Sequence, residues 1–193
     1  MILDKKLRDF VSVRRIFDPN DYVDFEETVE DFPWVRHEWR GGKGKVTKEN
    51  DGDVVSFENI HEEHPGCHLM MSQLRRLIGV NFAKELSESD CSRSGMPRLN
   101  RYRVGQRMEK HFDHIRATFM QSDDEEYRNQ GIPILSHLVL LNDNFEGGEF
   151  MIGDEKVDLK AGDCVTWPSL FMYPHEVKAV TKGTRYSMVL WSW

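Results

Sequence analysis

Short apolar-alternating segments separated by turn residues fill the chain after residue 97, and the longest helical periodicity, His64 to Leu86, precedes them. This order predicts a mostly β chain of the α+β class: a double-stranded β-helix (jelly roll) core braced by N-terminal helices. A length of 193 residues suits one hydrophobic core, and 39% apolar with 31% charged residues is ordinary for a globular protein. One domain is expected over 1–193, with 1–97 as helical and strand support and 98–193 as the jelly roll that carries the site.

In chain order, Ser12 to Phe17 alternates and reads as a strand. Asp18-Pro19-Asn20-Asp21 starts a helix on which Tyr22, Phe25, Val29 and Phe32 recur at helical spacing until Pro33 interrupts. Trp34 to Trp39 alternates again, Gly41 to Lys45 is a flexible turn or hairpin tip, and Val54 to Ile60 is a further short strand. The His64 to Leu86 helix presents Leu69, Leu74, Leu77, Ile78, Phe82 and Leu86 to one sheet.

Eight strands follow: Arg98 to Val104, Glu109 to Ile115, Ile134 to Asn142, Glu149 to Ile152, Lys156 to Leu159, Asp163 to Trp167, His175 to Val180 and Arg185 to Trp191. Asn142 to Gly148 is expected to form a hairpin and Ala161-Gly162-Asp163 a turn. Residues 116–133 make a longer connection than compact domains usually contain, so this segment and Gly41 to Asp53 are expected to cover the site as lids.

Within that framework, His111-Phe112-Asp113 is followed sixty-four residues later by His175 and ten after that by Arg185. Residues two apart on an extended segment point the same way, so His111 and Asp113 can converge while Phe112 turns into the opposite layer. Two imidazoles and one carboxylate on one face of a metal leave the other face open, as a non-haem Fe(II) needs in order to bind a cosubstrate and oxygen together. His175, at a strand edge after a turn with two prolines, is the best third ligand. Arg185 shares a strand face with Ser187 and Val189, and a buried guanidinium there calls for an anion such as the distal carboxylate of an oxo-acid.

Charge and cysteine content narrow the classes. A net charge of -7 argues against nonspecific nucleic-acid binding as the main activity. Arg93, Arg98, Arg101 and Arg103 offer a basic patch at the site entrance, but alternate strand arginines are more often simply solvated. Cys67, Cys91 and Cys164 are too few and scattered for a disulfide framework, with Cys164 expected in the core. No apolar run approaches a membrane span and no secretory start is visible, so a cytoplasmic location is expected. His61, His64 and His68 around Cys67 suggest a second metal site, but no fourth ligand is visible and solvated histidines are the simpler reading. Ser122 to Glu126 reads as a surface loop.

Arg101-Tyr102-Arg103-Val104-Gly105 through His111-Phe112-Asp113, with Leu141 to Glu149 and the His175/Arg185 segment, resembles the prolyl 4-hydroxylase-like Fe(II)/2-oxoglutarate dioxygenases over about residues 98–193. The resemblance implies that His111, Asp113 and His175 bind iron and that Arg185 holds the distal carboxylate of 2-oxoglutarate. Tyr102 matches a tyrosine hydrogen-bonded to that carboxylate, and Trp191 a tryptophan near the substrate pocket. It also implies Fe(II), 2-oxoglutarate and O2, with ascorbate admitted as reductant. The implied reaction is hydroxylation of a C–H bond coupled to decarboxylation of 2-oxoglutarate to succinate. Neither His111 nor His175 acts as acid or base in that scheme, and iron affinity falls at low pH.

Met108 stands where the family commonly has an aromatic residue, often tyrosine, which puts prolyl specificity in question. Leu140 replaces another frequent tyrosine. The leading substrate is a peptidyl residue, with proline the first candidate. The runner-up keeps the chemistry on a free amino acid, another small metabolite or a nucleobase. From another class comes a catalytically silent jelly-roll binding module.

Overall fold

Alternation of apolar and polar residues along the strands gives the main sheet two different faces, and each face has its own core. The computed structural model describes residues 6–22, 25–30, 32–37, 39–41, 45–47, 58–61, 65–95, 97–114 and 131–193. The first half supplies β1 (Ser12–Arg15), α1 (Phe25–Glu30), β2 (Val35–Arg36), β3 (Trp39–Gly41), β4 (Lys45–Thr47), β5 (Glu58–His61), α2 (Pro65–Asn81) and α3 (Ala83–Glu88). The second half supplies β6 (Arg98–Tyr102), β7 (Met108–His111), β8 (Leu135–Leu140), β9 (Glu146–Gly147), β10 (Phe150–Ile152), β11 (Glu155–Lys156), β12 (Asp163–Pro168), β13 (His175–Val177), β14 (Val180–Lys182) and β15 (Arg185–Ser192).

Seven strands form the large sheet in the order β1-β12-β8-β15-β6-β5-β2, and four form the smaller one in the order β11-β10-β13-β7. Their ladders are antiparallel. Strands from the first half thus lie at both edges of the large sheet. Two further pairs, β14-β9 and β3-β4, stand apart.

On the outer face of the large sheet, Leu99, Val139, Cys164, Tyr186, Met188 and Leu190 pack with Met71, Leu74 and Ile78 of α2 and Val29 of α1. Met71, Leu74 and Ile78 share one side of a 3.6-residue turn, which is why α2 lies flat on this sheet. Burying each such side chain stabilises the fold by roughly 1.5–3 kcal/mol. On the inner face, Tyr102, Leu138, Val165 and Trp167 meet Met108, Phe150 and Val177 of the small sheet. This second core lies between the two walls, and the site opens from it. Among the described residues no helix is long and apolar enough to cross a membrane.

Several expected elements differ. The single helix over His64 to Leu86 is two, separated at Phe82, where φ is -113° and the ring is fully buried. Leu69 is 70% exposed, because five residues of helix place it roughly 140° from Leu74. Asn142 to Gly148 is not a hairpin on β8. The Asn142 side chain accepts from Tyr186 N at 2.8 Å and donates to Thr184 O at 2.7 Å, holding this segment to β15, and β9 pairs with β14. The expected strand His175 to Val180 divides into β13 and β14 as the chain passes to a different partner strand, with Lys178 N bonded to Glu149 O. Of Lys156 to Leu159, Lys156 pairs with Met151 and Val157 N donates to Phe150 O, and the strand goes no further.

The HxD strand ends at His111, and Phe112 is 38% exposed instead of entering the opposite layer. The small sheet ends at β7, and Asp113 reaches the site from a bend. Most of the two expected lid segments, 116–133 and Gly41 to Asp53, lies outside the described residues. So do most of Val54 to Ile60, the Ser122 to Glu126 loop and the side chains of His61, His64 and Cys67.

Candidate metal and cosubstrate site

β7 and β13 are neighbours, and their register sets His175 directly opposite His111. Asp113 follows two residues after β7 and meets both histidines: its Oδ1 is 3.7 Å from His111 Nε2 and its Oδ2 is 3.5 Å from His175 Nε2. The imidazole centroids are 4.3 Å apart. One ligand atom from each of the three residues lies within 4.8 Å of the others, the only such cluster among the described residues.

Hydrogen bonds set which imidazole nitrogen faces inward. His111 Nδ1 donates to Glu109 O at 2.7 Å and His175 Nδ1 donates to Tyr173 O at 3.1 Å. In the neutral ring this leaves the lone pair on Nε2, the tautomer a metal ligand needs. Two imidazole lone pairs and a carboxylate then converge in a buried place, an arrangement that a cation stabilises. Ligands about 2.0–2.2 Å from a shared cation stand roughly 3 Å apart on one face, so the residues fit a metal once the three ligand atoms, now within 4.8 Å of one another, draw in around it.

Asp113 is held by residues the sequence did not single out. Ser136 Oγ donates to Asp113 Oδ2 at 2.6 Å and is within 2.8 Å of Ser169 Oγ. Trp191, paired with Ser136 across β15 and β8, also hydrogen-bonds the carboxylate. Burial alone would push the Asp113 carboxyl up, but His175, His111 and these two donors outweigh it and hold the carboxyl below its usual range. Burial, then the charge on His175, lowers His111 to about 4. Both groups are thus ready to ligate at neutral pH. Alternation marks Ser136 as inward-facing, but nothing in the sequence says that Asp113 lies opposite it.

A cleft opens beside these ligands, lined in part by Tyr102, Met108, Leu138, Trp167 and Trp191. Met108 and Trp191, expected near a substrate, are among the residues that line this cleft. Arg185, 1% exposed, starts β15 opposite Tyr102, and its guanidinium lies 5.2 Å from the Tyr102 ring centroid. Nη1 donates to Ser187 Oγ at 2.8 Å, and the buried Nε has no hydrogen-bond partner among the described residues. No carboxylate pairs with Arg185 among the described residues. Burial, opposed by Tyr102, draws its pKa down to about 10, and burial raises the Tyr102 phenol to about 12.

Gly148 explains the need for a glycine turn beside this arginine. Its φ is +63°, and a Cβ there would stand 2.9 Å from Arg185 Cδ. A side chain would therefore push the guanidinium stem aside as well as strain the turn.

The four arginines considered for a basic patch separate. Arg93 and Arg103 are exposed. Arg101 is not solvated: it is 4% exposed, paired with Glu58 at 2.8 Å, and stacked 4.5 Å from the Trp34 ring centroid on the outer face. Arg98, on the inner face, lines the cleft.

Comparison with known proteins agrees with this geometry. The sequence pattern of the 2OG-Fe(II) oxygenase superfamily matches residues 97–193. A PKHD-type hydroxylase of Gluconobacter oxydans is 26% identical over 190 residues, covering 93% of this chain and 76% of the relative. Two solved structures are similar in fold. A Trichoplax adhaerens prolyl hydroxylase in complex with a hypoxia inducible factor oxygen degradation domain peptide fragment has a TM-score of 0.71 at 13% identity, covering 100% of this chain and 86% of that one. A viral collagen prolyl hydroxylase from Paramecium Bursaria Chlorella virus-1, in its 2OG complex, has a TM-score of 0.64 at 14% identity, covering 100% and 98%. The likeness shows a jelly-roll core.

Proposed function

We propose, from the premise that the chain belongs to the 2OG-Fe(II) oxygenase superfamily and is a 2-oxoglutarate-dependent hydroxylase, that His111, Asp113 and His175 hold its iron and that its substrate is a peptidyl residue, with proline the first candidate. The observation that carries the site assignment is a buried Arg185 with no carboxylate partner among the described residues, standing behind Tyr102 from a convergent His/Asp/His cluster. When bound, Fe(II) couples decarboxylation of 2-oxoglutarate by O2 to hydroxylation of a C–H bond.

The chain's own residues do the positioning. Arg185 receives the distal carboxylate in a charge-assisted pair, with the Tyr102 phenol as a second donor. Ser136 and Trp191 keep Asp113 oriented and ionised, and the two Nδ1–H bonds keep the imidazoles aimed inward. Phe150 and Trp167 pack around His175, with ring centroids 5.9 and 4.9 Å away, and limit water at the ligands. Met108 and Trp191 meet the substrate. Residues 98–193 carry the machinery of one domain and 1–97 support it.

The peptide reading is supported by what the solved neighbours act on, since one is a prolyl hydroxylase holding a peptide and another a collagen prolyl hydroxylase. The free thiols Cys91 and Cys164 suit a reducing compartment, and we place the enzyme in the cytoplasm. A second reading, a free amino acid or other small acid, is favoured by Arg98 in the cleft.

The test is succinate release from 2-oxoglutarate by anaerobically iron-loaded protein on exposure to air, with ascorbate as reductant, with and without a proline-rich peptide. Peptide-stimulated turnover absent from His175→Ala supports the full proposal. Unstimulated turnover would move the substrate to small molecules, and no iron-dependent turnover would favour a silent binding module.

A further inference from the structure

A buried amide stands on the cleft wall between the ligand cluster and Arg185. Asn100 is 1% exposed, sits in the middle of β6 and lines the same cleft as His111, Asp113 and His175. Two residues away on either side, and so on the same strand face, Arg98 and Tyr102 line the cleft too. Arg98 Nε donates to Asn100 Oδ1 at 3.1 Å. An arginine nitrogen can only donate, so this bond fixes the orientation of the amide: its oxygen is turned toward Arg98 and its NH2 away from it.

That direction leads to Arg185. Asn100 is directly opposite Ser187 of β15, and Ser187 Oγ accepts from Arg185 Nη1 at 2.8 Å. Side chains opposite one another on a sheet face stand about 5 Å apart at Cβ, so the amide lies next to the hydroxyl that orients the guanidinium. Across the other edge of β6 the paired residue is Asn59, whose own amide is engaged with His37 Nδ1 at 3.0 Å. Among the described residues Asn100 Nδ2 donates to no acceptor. In a side chain this buried, an unused NH2 is costly, and its acceptor has to come from what occupies the cleft.

We propose that Asn100 is a further cosubstrate-binding residue, its Nδ2 donating to the distal carboxylate of 2-oxoglutarate beside Arg185. This rests on the hydroxylase reading of the cleft and adds a neutral donor to it. A carboxylate has about four acceptor sites, more than one guanidinium fills. Arg185 supplies the charge, and the amide on the adjoining strand fixes how the plane of the carboxylate turns. The chelating carboxylate is the other acceptor on the same molecule, and the experiment separates the two ends.

Wild type, Asn100→Leu and Asn100→Asp are loaded with Mn(II) and titrated calorimetrically with 2-oxoglutarate and with 2-oxopentanoate, which keeps the chelating end and has a methyl group in place of the distal carboxylate. Asn100→Leu should weaken 2-oxoglutarate binding about 10- to 100-fold and leave 2-oxopentanoate and Mn(II) binding within about twofold. Asn100→Asp keeps an acceptor for Arg98 but has no donor and sets a negative charge beside the carboxylate, so 2-oxoglutarate should lose at least as much affinity. Wild-type 2-oxoglutarate affinity in the variants would overturn the proposal. So would an equal loss for both oxo-acids, which would assign the amide to the chelating end. Failure of the hydroxylase reading is seen separately, in wild type that binds Mn(II) but no 2-oxoglutarate. Unfolding temperatures report whether each variant keeps its fold, and Asn100→Asp, which retains the bond from Arg98, carries the test where Asn100→Leu does not fold.

Discussion

Replacing Arg185 with methionine should make the cosubstrate-free protein more stable and deprive it of its ability to hold 2-oxoglutarate. Burial lowers the guanidinium from 12.5 to about 10, which corresponds to roughly 3 kcal/mol against the charged form at 1.36 kcal/mol per pH unit. Methionine fills much of the same volume without the charge, but it leaves Ser187 Oγ without its 2.8 Å donor, a loss of about 1 kcal/mol. The net gain is then about 2 kcal/mol, or a rise in unfolding temperature of roughly 4–8 °C for a chain of this size. Removing one partner of a buried charge pair costs about 2–5 kcal/mol in binding, so 2-oxoglutarate affinity should fall at least about thirtyfold. Differential scanning fluorimetry of the metal-free protein and calorimetric titration of 2-oxoglutarate with Mn(II) present measure the two effects. A lower unfolding temperature in Arg185→Met together with unchanged 2-oxoglutarate affinity would refute the reasoning, because the arginine would then be a structural residue with its charge already compensated.

Three further outcomes follow from the same geometry. Ser136→Ala removes the 2.6 Å bond to Asp113 and should weaken Mn(II) or Co(II) binding about 10- to 100-fold; calorimetry giving wild-type affinity would show that Asp113 needs no such support. His137 is buried between Thr166 Oγ1 at 2.8 Å and Ser192 Oγ at 2.9 Å, and burial lowers its pKa to about 3. Because the unfolded chain takes up a proton on this residue near pH 6.5 and the folded one does not, its contribution is present above pH 6.5 and is lost as pH falls toward 3. The ring should therefore stay neutral at about pH 4.5 by histidine-selective NMR, and a midpoint near 6.5 would contradict its burial. Leu74→Ala in the α2 interface, where Leu74 is 1% exposed, should cost about 2–5 kcal/mol by urea unfolding, and a loss below about 1 kcal/mol would mean that α2 does not brace the sheet.

The candidate ligands and Arg185 are legible in the sequence because metal and carboxylate chemistry restricts residue type: few side chains other than histidine and aspartate ligate iron, and a buried arginine needs a reason. The alternation of β15 likewise puts Arg185, Ser187 and Val189 on one face from the residue pattern alone. Less of Asp113's surroundings is visible there. Serines are common and their hydroxyls carry no periodic signal, so Ser136 and Ser169 are recognisable as Asp113's neighbours only once β8 and the turn after β12 are seen together. Arg101 and Arg98 illustrate the same limit. Both are arginines on one short strand, yet one is held in an ion pair beneath the helices and the other lines the cleft, because their positions differ by an odd number of residues and so face opposite sides of the sheet.

By itself, then, the sequence determined the chemistry on offer and the periods of the elements, since ligand type and side-chain alternation are local properties. Tertiary structure decided which strands became neighbours: β9 with β14 in place of a hairpin on β8, and β13 beside β7 so that His175 faces His111. Those pairings join residues far apart in the chain, and their free energy comes from packing and hydrogen bonds that exist only after the two sheets have closed over a common core.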